Sequence, residues 1–242
     1  MSGSIRLDRL LANLGYGSRN EVQQLARSGA VLLDGAPVRD AALRIAVTPD
    51  LPSRLTVEGD PLDPLPGMAL MLHKPLGVTC SHKEAGPLVY DLLPLRWRRR
   101  EPALSTVGRL DKETSGLLLL TDDGALLHQI ISPTRQVAKH YVATLARPLR
   151  GDEAALFASG ALMLDGEFKP LAPARLEVLS PTTARITVTE GRYHQVRRMF
   201  AATGNHVNSL HRESIGALTL PPDLGPGACR ALTTADIAAI FA

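Results

Sequence analysis

Three stretches hold the residues best suited to chemistry. In "GRLDKETSGLLLLTDDG", Gly108 to Gly124, Asp111 stands between Arg109 and Lys112, just ahead of the apolar run Leu117–Leu120. A carboxylate on a rigid loop facing a cleft can act as nucleophile or general base. Gly108 and Gly116 bracket it with backbone freedom, and Thr114 and Ser115 can hydrogen-bond the loop into shape. An isolated Asp in such a place can equally do no more than cap a turn before a buried strand.

In "AKHYVATL", Lys139 and Tyr141 alternate, so on a strand their side chains share a face. That ring can stack on an extruded base with a cation beside it for phosphate, or it can be an ordinary half-buried strand aromatic. In "EGRYHQVRRMFAATGNH", Glu190 to His206, Arg197 and Arg198 fall in the first turns of a helix expected over 195–203. The helix dipole already places partial positive charge there, so two Arg point to an outside partner, a carboxylate or RNA phosphate, unless they form a solvated pair. The histidines form no helix-borne ligand pair, and "RWRRR", Arg96 to Arg100, reads as a solvated loop or, beside a nucleic-acid site, a phosphate contact.

The elements that must position these groups follow from hydrophobic spacing. Strands are expected over 69–73, 105–107, 117–121, 139–145, 173–179, 184–189 and 206–210, and helices over 124–131, 151–159, 195–203 and 234–241. "TARITVTE" alternates as a half-exposed antiparallel strand does, whereas "GLLLLT" is apolar on both faces and should be central. The mixture predicts an α+β domain around a mainly antiparallel mixed sheet with flanking helices.

Ahead of it, 5–30 carries two helical patterns, the first from Ile5 and the second capped by Ser18 with Glu21 at capping-box spacing. "AVLLDGAPVRD" follows as a hairpin turning at Asp34-Gly35. The expected organisation is a small helix–helix–hairpin module over 1–60, an extended Pro-rich linker over 61–68 and the α+β domain over 69–242.

At 242 residues, with 45% hydrophobic and 21% charged, the chain can build a packed core. The net charge of +3 permits nucleic-acid binding without demanding it; 22 of the 27 basic residues are Arg, only positions 74, 83, 112, 139 and 169 being Lys. Cys80 and Cys229 lie in no paired-ligand spacing, which argues against a disulfide framework or structural zinc. No signal segment or membrane-length apolar run stands out, so a reducing cytoplasm is the expectation, with no metal and a monomer.

Together, "GRLDKETSGLLLLTDDG", "KHY" and "EGRYHQVRRMFAATGNHVNSLHRESIG" resemble the motifs of the RNA pseudouridine synthases, more narrowly of their RsuA branch. "RLDRLLANLGYGSRNEVQQLARSGAVLLDGAPV" is similar to the S4 RNA-binding module. "SRNE" departs from that module where a second Arg often follows Ser-Arg, though Arg19 remains.

The resemblance implies isomerisation of uridine to pseudouridine in bacterial 16S rRNA, at the position usually numbered 516, without a cofactor. It implies Asp111 as the catalytic aspartate, Tyr141 packing on the base, Arg197 pairing with the aspartate and Leu210 lining the uridine pocket. Arg109, Lys139, Arg192 and Gln195 would complete substrate binding. Arg6, Arg9, Arg19 and Arg27 would hold RNA phosphates. The expected substrate is rRNA within a small-subunit assembly intermediate. Alternatives are a synthase for 23S rRNA or another RNA, and a non-catalytic RNA-binding or ribosome-assembly protein.

Overall fold

The computed structural model describes residues 4–242, and in its N-terminal module the side-chain cap is on the second helix. A short strand β1 (Ser4–Arg6) runs into helix α1 (Leu7–Asn13), and helix α2 (Arg19–Ser28) follows. Ser18 and Glu21 form the expected reciprocal capping box on α2, with Ser18 N donating to Glu21 Oε2 at 2.6 Å. Strands β2 (Val31–Leu33) and β3 (Ala36–Pro37) make the hairpin, turning at Asp34 and Gly35 with φ of 51° and 79°. Both residues of the turn take positive φ, as a tight two-residue hairpin requires.

Ile5 and Arg6 differ from expectation. They are extended rather than helical, because β1 pairs antiparallel with β4 (Arg44–Ala46), Ile5 opposite Ile45. A short helix α3 (Leu51–Arg54), then β5 (Leu55–Val57) and β6 (Asp60–Pro61), complete a sheet of order β3-β2-β5-β6. Leu7, Leu10, Leu11, Leu14, Val22 and Val31 are buried at its centre.

By packing, this first unit runs to Ala69 and also includes Leu93–Ser105 and Thr121–Asp123; the second takes Leu70–Leu92, Thr106–Leu120 and Gly124–Ala242. The Pro-rich stretch read as a linker is extended but anchored within the first unit. Leu62 joins its core, Asp63 accepts from Arg96 Nε at 2.6 Å, and the Tyr16 hydroxyl accepts from Asp63 N at 3.0 Å. Most of "RWRRR" is likewise occupied rather than solvated. Arg96, on helix α4 (Leu95–Arg98), lies over the Tyr16 ring at 4.4 Å, Arg98 donates to Leu93 O, and Arg100 is buried against Asp122 at 3.0 Å.

The second unit is built on a nine-stranded sheet. Its strands are β7 (Ala69–Lys74), β8 (Ser105–Thr106), β9 (Thr114–Thr121), β10 (Lys139–Leu145), β11 (Arg175–Ser180), β12 (Thr183–Val188), β13 (Val207–Ile215), β14 (Leu218–Thr219) and β15 (Cys229–Ala231). The main order is β11-β12-β10-β13-β9-β7-β15. Strand β9 is central, as its apolar run predicts, with Leu117, Leu118 and Leu120 fully buried. Strand β13 extends well beyond the expected 206–210 and runs antiparallel to β10 but parallel to β9. Helices α5 (Gly124–Ile131), α6 (Glu153–Ala158), α7 (Gln195–Ala202) and α8 (Thr234–Ile240) complete an α+β architecture. Phe157 of α6 meets Phe200 of α7 edge-on at 5.4 Å. Among the described residues no helix is long and apolar enough to cross a membrane.

One glycine sets the spacing between the two strands that carry the site. Gly116 on β9 has φ +112°, and a Cβ there would lie 2.2 Å from the carbonyl oxygen of Arg212 on β13. Gly116→Ala is therefore expected to cost about 3 kcal/mol or more, strain and clash combined. Gly204→Ala, at φ +76° with open space around it, should cost only about 1 kcal/mol. Urea unfolding of the two variants tests this, and equal losses would show that the strands can part without penalty.

Candidate active site

Asp111 sits on the turn that leads into β9, and nearly every carbonyl of that turn is held. Thr114 N donates to Asp111 O at 3.0 Å and Gly77 N donates to Lys112 O at 2.9 Å. Lys74, at the end of β7 and fully buried, donates from Nζ to Thr114 O at 2.8 Å, Pro75 O at 3.0 Å and Lys112 O at 3.4 Å. Arg197 on α7 donates from Nη2 to Glu113 O at 2.6 Å and from Nη1 to Val207 O at 2.8 Å. Burial pushes the Lys74 ammonium below the usual lysine range, opposed first by Cys80 and then by the charges of Asp111 and Glu113. A buried cation that satisfies three carbonyls fixes the loop from beneath.

The partner of the carboxylate differs from expectation. Among the described residues no ion pair joins Arg197 to Asp111; the group that approaches the carboxylate is His194, its Nε2 3.4 Å from Asp111 Oδ1. Arg197 instead reaches the same loop through its backbone, because its guanidinium is shared between Glu113 O and Val207 O. His194 has φ +48°, an uncommon conformation for a residue with a side chain, and its ring stacks on Tyr193 at 3.9 Å. That backbone turn aims the imidazole at Asp111.

Asp111, Thr114, Tyr141, Val196 and Leu210 line one narrow pocket of about 80 Å³. Strand register explains the gathering. Tyr141 on β10 faces Arg212 on β13, Ala143 faces Leu210, and Leu210 in turn faces Thr114 at the start of β9. The Thr114 hydroxyl is buried in this wall without a hydrogen-bond partner among the described residues.

Tyr141 is 9% exposed, and its hydroxyl accepts from Arg212 Nη1 at 3.2 Å. Arg212 is itself buried and donates from Nε to Leu117 O at 2.7 Å. Lys139, on the same face of β10, donates to Val137 O at 3.0 Å; burial, and after it the charge of Arg212, push its ammonium down to about 8.

The other expected site residues divide into free and engaged. Arg109 lines the pocket and is exposed, with no hydrogen bond or ion pair among the described residues. Arg192 also lines it, but its guanidinium is spent on Glu190, Glu167, Lys169 O and Pro170 O. Gln195 is buried between Glu190 and the backbone of Arg192, so it shapes the wall. Arg198 finds its partner inside the unit, Glu167 at 3.0 Å.

In the first unit, Arg9, Arg19 and Arg27 are exposed, whereas Arg6 is held in a two-point pairing with Asp8 at 2.6 and 3.1 Å. Lys74, His194 and Arg212 are the residues of this site that sequence reasoning passed over. Positive charge between an apolar strand and a proline, in "HKP", was the available signal for Lys74.

A carboxylate on a braced loop, an aromatic strand residue beside it and an apolar back wall define a base-handling site. The chain belongs to the RNA pseudouridylate synthase family, which it matches over residues 69–202, and residues 5–48 match the S4 domain. It is 42% identical to ribosomal small subunit pseudouridine synthase A of Escherichia coli K12 over 240 residues, covering 98% of this chain and 100% of that one. An uncharacterised RNA pseudouridine synthase of Bacillus subtilis is 40% identical over 96% of this chain and 97% of its own. A crystal structure of a pseudouridylate synthase superposes with a TM-score of 0.67 at 37% identity, covering 98% of this chain and 100% of that one.

If Arg197 and Lys74 act by placing the Asp111 loop, removing either should disturb the chemical step more than RNA binding. Arg197→Met and Lys74→Met are expected to lower kcat for pseudouridine formation about 100-fold with KM changed less than about threefold. Steady-state kinetics alongside melting curves check this. A loss confined to KM would mean that these cations bind RNA instead.

Proposed function

We propose that this protein isomerises uridine 516 of bacterial 16S rRNA to pseudouridine, with Asp111 as the acting carboxylate. The observation that carries the reading is that Asp111, Tyr141 and Leu210 share one pocket although they come from three different strands or loops. The E. coli relative, named for the small ribosomal subunit and matched along its whole length, supports the choice of RNA.

The reaction breaks the bond between N1 and C1′, turns the base, and joins C5 to C1′. The proton on C5 is released and N1 gains one, so atoms and electrons balance without an oxidant or a cofactor. A carboxylate at the sugar serves either route, adding to C1′ or taking the C2′ proton. Tyr141 would support the detached base from one side and Leu210 from the other, while Thr114 Oγ1 offers it a hydrogen bond. Extruding the uridine costs a few kcal/mol, which stacking on one aromatic ring can largely offset. His194 is the imidazole neighbour of the carboxylate, and Arg197 acts through the loop backbone. Arg109 and Lys139 are the cations available to substrate; Arg192 and Gln195 hold the wall in shape.

Residues 1–60 are read as the RNA-binding module, joined by 61–68 to a catalytic domain over 69–242. Arg9, Arg19 and Arg27 would make its phosphate contacts. The protein would work as a monomer in the cytoplasm on a partly assembled small subunit, because a target within a tertiary fold is presented only once that fold has begun to form.

Asp111→Asn is expected to fold and to release tritium from C5-labelled uridine at least about 1000-fold more slowly, since it removes a group that acts in the transition state. A deletion strain should lose pseudouridine at 516 in 16S rRNA and nowhere in 23S rRNA; loss of a 23S site instead would overturn the substrate assignment. Equal rates on free RNA and on assembly intermediates would remove the assembly requirement. Replacing Arg9, Arg19 and Arg27 together by Ala should lower the slope of log affinity against log salt by about one per lost phosphate contact, measured by filter binding.

A further inference from the structure

A second cavity, of about 400 Å³, adjoins the first along Tyr141 and the Glu190–Arg192 stretch. It shares Tyr141 and Arg109 with the first pocket and adds Lys139, Arg212, Ile130 and Pro133. Its size suits a ligand larger than a water cluster.

Its charge is unbalanced. The acid in the wall is Glu190, already paired with Arg192 at 3.1 Å. Arg109, Lys139 and Arg212 are left with no carboxylate partner among the described residues. Arg212 is buried, and its Nη2 has no hydrogen-bond partner among the described residues. The buried side-chain polar atoms without partners in this unit, among the described residues, are this nitrogen and Thr114 Oγ1, and each belongs to the wall of one of the two cavities. Lys139 is pushed down to about 8 by burial first and by Arg212 second, so the two cations oppose one another in the free protein. An unpaired buried charge is costly unless a ligand completes it. The apolar side of the cavity, Ile130, Pro133 and Ile215, suits the face of a sugar or base.

We propose that this cavity holds the RNA nucleotide next to the target uridine, its backbone phosphate seated between Lys139 and Arg212. A nucleotide fits this mixture of cations, apolar side chains and an aromatic edge better than a free anion, which would leave the apolar wall uncovered. Tyr141 then acts on two nucleotides, with its ring against the target and its hydroxyl fixed by the arginine that grips the neighbour. The linkages on both sides of the uridine offer the same phosphate, and neutralising them one at a time distinguishes them. The inference rests on the proposed reaction on RNA, but it concerns binding and is read separately from turnover.

The probe is a short hairpin of the 16S rRNA around position 516, carrying one uncharged methylphosphonate either 5′ or 3′ of the target uridine. Affinity for the full-length enzyme is measured by fluorescence anisotropy. In the native protein one of the two substitutions should weaken binding about tenfold and the other less than about twofold. In Lys139→Met the same substitution should cost about threefold, because one of the phosphate's two cations is gone while Arg212 remains. Without RNA, Lys139→Met should melt at a temperature a few degrees above the native protein, since a repulsive cation is gone. If Lys139→Met fails to fold, Lys139→Gln gives the same comparison. Penalties that are the same in native and variant enzyme would overturn the proposal, as would the absence of any penalty at either linkage. Native enzyme that binds the hairpin with this pattern but isomerises neither it nor 16S rRNA in a small-subunit assembly intermediate would refute the reaction and leave the cavity assignment standing.

Discussion

The site depends on one buried ammonium. Lys74 lies beneath the Asp111 loop with its side chain out of water and its three donors turned to backbone oxygens of that loop and of Pro75. A lysine so placed is tolerated only because carbonyl dipoles replace its hydration and two carboxylates stand near. Its reach from β7 holds the loop, and Arg197 repeats the device from α7. The carboxylate is thereby left partly open, a third exposed, over a base that cannot sag. Rigidity beneath and access above is what a group acting on a sugar requires.

Much of the scaffold was legible in the chain because it rests on local rules. The Ser18–Glu21 capping box, the Asp34-Gly35 turn and the central place of the Leu117–Leu120 strand each follow from neighbours within a few residues. The shared face of Lys139 and Tyr141 follows from strand alternation alone, and both side chains line one cavity. The short strands were missed where two- and three-residue pairings, such as β1 with β4, arise from the partner rather than from periodicity. Ile5 and Arg6 look helical until Ile45 is opposite.

The site was legible in its members and not in its wiring. Asp111 and Tyr141 could be singled out by type and spacing and Leu210 only through the family resemblance, but which cation meets which oxygen is decided across 84 residues for Arg197 and Glu113 and 71 for Arg212 and Tyr141. No local pattern records such a pairing. The same holds for His194, whose left-handed backbone leaves no mark on composition. The arginines showed the opposite error: Arg6, Arg96 and Arg192 look available on paper, and each is committed to a carboxylate of its own unit.

The parallel pairing of β9 with β13 has a consequence for how the protein comes to exist. Ser115 and His211, bonded across that seam at 2.9 Å, stand 96 positions apart, and the pocket closes only where these two strands meet. Distant contacts of this kind form late, since a long stretch of chain must first be restrained. A chain still being synthesised therefore carries Asp111 before β13 exists to supply the opposite wall. The wall is complete once β13 docks, and a chain cut short before Val207 lacks the Leu210 side of the pocket.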